Sequence, residues 1–148
     1  MNVLLDTNVY IDYLGRQEPF YDAAREIVMH GFFGEATIWV PAQSVADAYY
    51  VLKKHVQNAS VQQAIEASFE VITPVDLCAG DILRAVRLKW EDLEDCLIAV
   101  AADKARADYL ITRDVRGFER SPVPAVSPEE WLDIMERSRG TIYSATKL

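Results

Sequence analysis

The sequence contains few of the residues that build disulfide and zinc sites. Its 148 residues include two cysteines, Cys78 and Cys96, and two histidines, His30 and His55. The cysteines form no Cys-x-x-Cys pair, and the histidines lack ligand-like spacing to each other or to a cysteine. We therefore expect neither a disulfide scaffold nor a zinc site, and the cysteine usage indicates a reduced, cytoplasmic setting.

Long apolar runs and nucleotide-binding signatures are also missing. No apolar run reaches the roughly 18 residues that span a bilayer, and the opening residues MNVLLDTN lack the basic segment of a signal peptide. The chain has no Walker loop, no GxGxxG turn and no GxSxG elbow. We therefore expect no membrane segment. The sequence also gives no support for the enzyme classes that carry a Walker loop, a GxGxxG turn or a GxSxG elbow.

The composition is typical of one globular domain. The hydrophobic fraction is 51%, the charged fraction is 26% and the net charge is −8. Such acidity argues against a general nucleic-acid binder, but it allows an enzyme that holds phosphate through a metal ion. We expect a single domain over residues 1–137 and a loosely ordered tail over residues 138–148.

Apolar strand patterns alternate with helix patterns along the chain. Strands are predicted at residues 3–5, 37–40, 70–73, 109–112 and 125–126. Helices are predicted at 8–14, from Pro19 to about 33, from Pro41 to about 56, near 60–68, after an Asp76 cap to about 89, from 94 or 95 to 105, and from Pro128. This alternation predicts a three-layer α/β/α fold with a mainly parallel sheet.

Ligands of such sheets bind at the carboxyl ends of the strands, and three polar residues lie there. Asp6 follows the first strand, and Thr112 and Asp114 follow a later one. Asp6 fits a turn or a helix N-cap as well as a site. Asp114 fits a loop acid paired with Arg113 or Arg116 as well as metal or water coordination.

Two further acids lie on predicted helices. Asp95 precedes seven residues without a polar side chain, so a buried helix carries this carboxylate inward, where it needs a cation or a donor. Asp92, three residues earlier, can share its face. Asp47 lies away from the apolar stripe of its helix, and the pattern alone indicates a surface acid. The pairs Tyr49-Tyr50 and Phe32-Phe33 fit either an interface or the core, and we predict that they lie in the core.

Four blocks of residues, in this order along nearly the whole chain, resemble the PIN domain family. The blocks are Leu-Leu-Asp6-Thr-Asn8-Val, Ser44-Val-Ala-Asp47-Ala-Tyr-Tyr-Val-Leu, Asp92-Leu-Glu-Asp95-Cys-Leu-Ile-Ala and Ile-Thr112-Arg-Asp114-Val-Arg-Gly-Phe118. Residues 123–131 resemble the end of many such chains. Many members of the family carry Glu where this chain has Asp47, whose side chain is one methylene shorter.

The resemblance implies a metal-dependent ribonuclease, often the VapC-type toxin of a bacterial toxin–antitoxin pair. It implies that four carboxylates are catalytic and bind Mg²⁺ or Mn²⁺, namely Asp6, Asp47, Asp95 and Asp114. Asn8 and Thr112 would support this cluster by hydrogen bonds, with Asp92 beside it. Hard cations prefer oxygen ligands, and metal-activated water would leave a 5′-phosphate and a 3′-hydroxyl.

The same resemblance implies an RNA substrate, an antitoxin partner and a homodimer. Candidate phosphate contacts are Arg113, Arg116 and Arg120 beside the site, and Lys53 and Lys54 on the helix that carries Asp47. Each can instead be a solvated charge, and this is the interpretation that we favour for Lys53 and Lys54. Two other functions stay open. One is a non-catalytic PIN-like module that binds RNA or protein; the other is a magnesium-dependent phosphatase, although the haloacid-dehalogenase type has a second Asp where this chain has Asn8.

Overall fold

The computed structural model describes residues 1–139 and contains a five-stranded sheet. The strands are β1 (Asn2–Leu5), β2 (Thr37–Pro41), β3 (Ile72–Val75), β4 (Tyr109–Ile111) and β5 (Ala125–Val126). Their order across the sheet is β3-β2-β1-β4-β5, and every neighbouring pair is parallel. The predicted parallel sheet is confirmed, and β1 and β4, which precede the strand-end acids, are neighbours.

Helices cover both faces of the sheet. They are α1 (Thr7–Leu14), α2 (Tyr21–Phe32), α3 (Ala42–Leu52), α4 (Asn58–Ser68), α5 (Ala79–Leu88), α6 (Leu93–Lys104) and α7 (Pro128–Arg139), with a short 3-10 helix at Val115–Phe118. α1 to α4 and α7 pack together, whereas α5 and α6 form the opposite layer. Successive side chains of β1 point to the two opposite helix layers. Val3 and Leu5 pack beneath α1 and α2, and Leu4 packs beneath α6. The predicted three-layer α/β/α fold is confirmed.

Three predicted helix boundaries are wrong. α2 begins at Tyr21 rather than at Pro19, and α3 ends at Leu52 because Val56, at 45% exposure, finds no core to pack against. Cys78, not Asp76, caps α5. There the Asp81 carboxylate accepts the Cys78 N–H at 2.9 Å, so a capping box fixes the start of the helix.

The C-terminal helix begins as the sequence predicts. The Ser127 hydroxyl accepts the Glu130 N–H at 3.1 Å, and Pro128 occupies the first helical position. α7 continues to Arg139, and residues 140–148, which hold most of the predicted tail, lie outside the described residues. The domain boundary at residue 137 stays a prediction. Within residues 1–139, no helix combines the length and the hydropathy needed to cross a bilayer.

Candidate active site

Asp6 lies where β1 ends and α1 begins. Its Oδ1 accepts the Thr7 N–H at 2.7 Å, so the residue is the N-cap of α1. Its own N–H donates to the carbonyl of Ile111, the last residue of β4, at 2.9 Å. The carboxylate is buried, with 7% of the residue exposed. Asp6 therefore caps α1 and also lies at the strand end, although the sequence alone presents these two positions as alternatives.

Thr112 joins the ends of β1 and β4. The residue is fully buried, and its hydroxyl donates to Asp6 Oδ2 at 2.7 Å. The same hydroxyl accepts the N–H of Asp114 at 3.0 Å. One side chain therefore sets the positions of both strand-end acids.

Asp114 and Asp95 face a common space beside Gly117. Asp114 caps the 3-10 helix, and its Oδ1 accepts the Gly117 N–H at 3.4 Å. A Cβ atom on Gly117 would lie 2.7 Å from Asp114 Oδ2 and 2.8 Å from Asp95 Oδ2. Any side chain there would enter the space between the two carboxylates. The sequence analysis missed Gly117, although the glycine lies three residues after Asp114.

Asp95 reaches this space from the first turn of α6. Its N–H donates to Oδ1 of Asp92, the N-cap residue, at 3.1 Å. The rest of the helix is held in the core by Cys96 and by a continuous buried run from Ile98 to Ala102. The buried helix therefore brings Asp95 to the strand-end acids, as predicted, and Asp92 fixes the start of the helix.

The carboxylates are close enough to perturb one another. Burial raises the pKa of Asp6, the charge of Asp114 adds to this shift, and the hydrogen bond from Thr112 opposes it. The pKa of Asp95 is raised to about 6 by burial first, and then by the charges of Asp92, Asp6, Asp114 and Glu94. A cation bound among these groups would relieve both the desolvation and the repulsion.

One face of α3 forms the opposite wall. Gln43, Asp47, Tyr50 and Val51 recur at i, i+4, i+7 and i+8, so they share a face. The hydroxyls of Thr7 and Ser44 lie 2.6 Å apart and tie the start of α3 to α1. Asp47 is exposed, as the helical pattern indicates, yet it faces the same cleft as the other acids.

The four predicted acids line one cleft of about 610 Å³. The structure therefore brings together Asp6, Asp47, Asp95 and Asp114. Asn8 lies in the same wall, and so do Gln43 and Glu94, which the sequence analysis did not assign to the site. Gln43 lies four residues before Asp47 and so on the same helix face, and this spacing could have identified it from the sequence.

The oxygen atoms around this cleft fit a hard divalent cation. Asn8 Oδ1 and Gln43 Oε1 are buried and have no hydrogen-bond partner among residues 1–139, so water molecules around an ion would satisfy them. Within that part of the chain, no three carboxylate, histidine or cysteine side chains form a complete ligand set. In proteins, Mg²⁺ is usually held by one or two carboxylates and keeps several waters.

Arg113 and Arg116, two of the three arginines predicted to contact phosphate, differ in position. Arg113 turns away from the cleft: its Nε donates to Asp12 Oδ2 at 2.8 Å, and its guanidinium lies 3.9 Å from the Phe20 ring centroid. Arg116 lines a second groove of about 820 Å³ that adjoins the cleft at Glu94 and Asp95. The buried partner Asp12 was not singled out in the sequence, because a polar residue on an amphipathic helix gives no sign of its partner.

The fold is shared with toxins of known structure. In the VapBC2 complex of Rickettsia felis, bound to promoter DNA, the similar chain has 19% identity and a TM-score of 0.65, over 86% of this chain and 98% of that one. A toxin–antitoxin complex of Klebsiella pneumoniae gives 22% identity and a TM-score of 0.63 over 85% and 97% of the two chains. VapC20 of Mycobacterium tuberculosis, a toxin that cleaves the sarcin–ricin loop, gives 9% and 0.58 over 73% and 86%.

The sequence itself matches one family. No curated protein matches the chain. The family model described as PIN domain matches residues 2–116, which include all four acids of the cleft. The resemblance predicted from the four sequence blocks is confirmed, and the chain belongs to the PIN domain family.

Proposed function

We propose that this protein is a metal-dependent endoribonuclease and that Asp6, Asp47, Asp95 and Asp114 are its catalytic acids. The observation that carries the proposal is the shared space beside Gly117, into which Asp95 and Asp114 both direct an oxygen. Family membership and a similar chain that cleaves RNA support the same reaction. Among residues 1–139, neither histidine lines the cleft, so we assign no histidine the role of general base.

Asp95 and Asp114 would hold Mg²⁺ or Mn²⁺, with Asp6 behind them and Asp47 across the cleft. When bound, such an ion lowers the pKa of water and neutralises charge on the phosphoryl oxygens. Thr112 holds the Asp6 carboxylate in place and fixes the backbone of Asp114. Water attacks phosphorus, the bond to the 3′-oxygen breaks, and the leaving oxygen takes a proton. The products are a 5′-phosphate and a 3′-hydroxyl.

RNA cleavage in the presence of Mg²⁺ or Mn²⁺ tests this proposal. We expect EDTA to abolish cleavage, and Asp95→Asn to reduce it by at least about 100-fold, because the variant loses a ligand of the cation that would neutralise transition-state charge. Asp133→Asn is the matched control, since Asp133 is exposed on α7 and does not line the cleft. Absence of Mn²⁺ binding by the wild-type chain in calorimetry, with Asp6→Asn as the control, would support the non-catalytic module instead. Phosphate release from a small phosphomonoester without RNA cleavage would support the phosphatase.

We also propose that the protein acts in the cytoplasm as the toxin of a toxin–antitoxin pair and forms a homodimer. The similar chains from R. felis and K. pneumoniae belong to toxin–antitoxin complexes, which supports a protein partner. Co-expression with the product of an adjacent small reading frame is expected to yield a stable complex and to suppress RNA cleavage. Light scattering of the isolated chain is expected to give twice the mass of 16.7 kDa.

A further inference from the structure

Tyr50 presents a solvent-exposed aromatic side chain at the wall of the acidic cleft. The residue is 58% exposed and lies one turn beyond Asp47 on the cleft face of α3. Its neighbour Tyr49 is partly buried and packs against the cluster around Leu52. The core position predicted for the Tyr-Tyr pair is therefore wrong for Tyr50, because consecutive residues of a helix point in different directions.

Two lysines lie against this ring. Lys53 Nζ and Lys54 Nζ are each 4.9 Å from the Tyr50 ring centroid, and both side chains are exposed. Neither lysine forms an ion pair with a carboxylate among residues 1–139. In a chain of net charge −8, two lysines thus lie against a ring that lines the acidic cleft.

We infer that Tyr50 is a positioning residue on which one base of the RNA strand stacks, with Lys53 and Lys54 holding the adjacent phosphates. The inference rests on the proposed ribonuclease function. An aromatic ring flanked by cations is the combination that binds single strands, because every base has a π-face and every linkage a charge. A base on Tyr50 fixes which phosphate lies beside Asp95 and Asp114, and so selects the bond that is cut.

The adjoining groove gives the strand a continuous path. Glu94 and Asp95 line both the cleft and this groove, and Arg116 lies farther along it. Trp90 is less suited to stacking, since its ring is partly buried and packs edge to face against the buried Phe118, with 6.4 Å between the ring centroids. The strand would therefore stack at Tyr50, pass Asp95 and leave past Arg116.

The test measures binding without cleavage, using the full chain with Asp95→Asn. The probe is a fluorescein-labelled, mixed-sequence ribo-oligonucleotide of about 12 nucleotides, compared with copies that each carry one abasic position. We expect one abasic position to weaken binding about tenfold and Tyr50→Ala to weaken binding of the intact probe equally. Tyr50→Ala should remove the sensitivity to that position, whereas Tyr50→Phe should keep it. A merely structural role for Tyr50 would not produce this dependence on a single base.

The lysines are tested by salt. Lys53→Gln with Lys54→Gln should lower the slope of log affinity against log salt by roughly 1 to 1.5, as two phosphate contacts require. Equal binding by the Tyr50→Ala chain, or an equal loss at every abasic position, would overturn the inference. Oligonucleotide binding that depends on Tyr50, in a protein that cleaves no RNA, would overturn the ribonuclease proposal but keep this one. Cleavage at unchanged sites by Tyr50→Ala would overturn the role inferred for Tyr50 but keep the ribonuclease proposal.

Discussion

The hydroxyl of Thr112 lies 2.7 Å from Asp6 Oδ2, although the two residues are 106 positions apart in the sequence. The contact is possible because β1 and β4 are parallel neighbours, so their carboxyl ends meet at one edge of the sheet. The hydrogen bond from Thr112 offsets part of the free-energy cost of burying the Asp6 carboxylate, since a buried acceptor without a partner is strongly unfavourable. The site is therefore part of the packing of the sheet as well as of the cleft.

Thr112→Val is expected to lower both stability and activity. Valine has a similar shape but leaves Asp6 Oδ2 and the Asp114 N–H without their partner, which costs about 1–3 kcal/mol of the free energy of unfolding. Loss of the donor should also raise the pKa of Asp6 further. Urea unfolding and RNA cleavage measure the two effects. Thr112→Ser keeps the hydroxyl and is the control; a loss in Thr112→Ser with none in Thr112→Val would mean that the methyl group, not the hydrogen bond, matters.

Gly117→Ala is expected to weaken metal binding more than it weakens folding. The added Cβ would lie under 3 Å from Oδ2 of both Asp95 and Asp114, so at least one carboxylate must move out of the shared space. Calorimetric titration with Mn²⁺ should show affinity reduced at least about tenfold, a loss of about 1.4 kcal/mol.

Gly80→Ala provides the matched control for this substitution. Gly80 lies in the first turn of α5, and a Cβ there would come no closer than 3.8 Å to the Cys78 sulfur, an ordinary contact. Alanine in a helix is also favourable relative to glycine. The proposed metal site would be in doubt if Gly80→Ala and Gly117→Ala bound Mn²⁺ equally well.

The strand-end part of the site was predictable from the sequence, and its other wall was not. Asp6, Thr112 and Asp114 directly follow apolar strands, and the edge of a parallel sheet brings such residues together. Asp47 lies on a helix whose two faces are both partly apolar. Helical periodicity shows which residues share a face but not which neighbour that face meets, so only the family resemblance assigned Asp47 to the cluster.

Two other features could not be predicted from the sequence because they depend on tertiary contacts. The role of Gly117 depends on the approach of α6 to the 3-10 helix, which no local pattern encodes. Phe32 and Phe33 were predicted to be core residues from their apolarity, yet they are 65% and 54% exposed at the end of α2 and pack edge to face on each other. Apolar residues are common at protein surfaces, so composition alone does not assign them to a core.

Asp95→Asn is expected to stabilise the metal-free protein at neutral pH. The pKa of Asp95 is about 6 in the folded chain against an ordinary value of 3.8, so the folded state binds the proton more tightly. The wild-type protein therefore loses stability as the pH rises through this window, and the asparagine variant does not. Because Asp95 is only partly buried, solvent screening limits the gain to on the order of 1 kcal/mol.

Urea unfolding in EDTA at two pH values measures this difference. Wild type and Asp95→Asn should have similar free energies of unfolding near pH 3.5, below the ordinary pKa, and the variant should be more stable near pH 7.5. Saturating Mn²⁺ should reverse the order, because an ion bound by Asp95 stabilises the wild-type folded state alone. A wild-type protein that is the more stable one near pH 7.5 in EDTA would contradict repulsion among the carboxylates.

Asp12→Ala is expected to destabilise the protein by about 1–2 kcal/mol, more than the loss of a surface ion pair but less than that of a fully buried one. The Asp12 side chain is 4% exposed and that of its partner Arg113 is 35% exposed, so the freed guanidinium recovers part of its hydration. Arg84 and Asp103 form a pair at the same 2.8 Å in which both side chains are over 40% exposed. Asp103→Ala, unfolded by urea under the same conditions, should therefore cost less than about 0.5–1 kcal/mol. Equal losses for the two substitutions would mean that burial does not strengthen the Asp12 pair and that Arg113 is free to leave it.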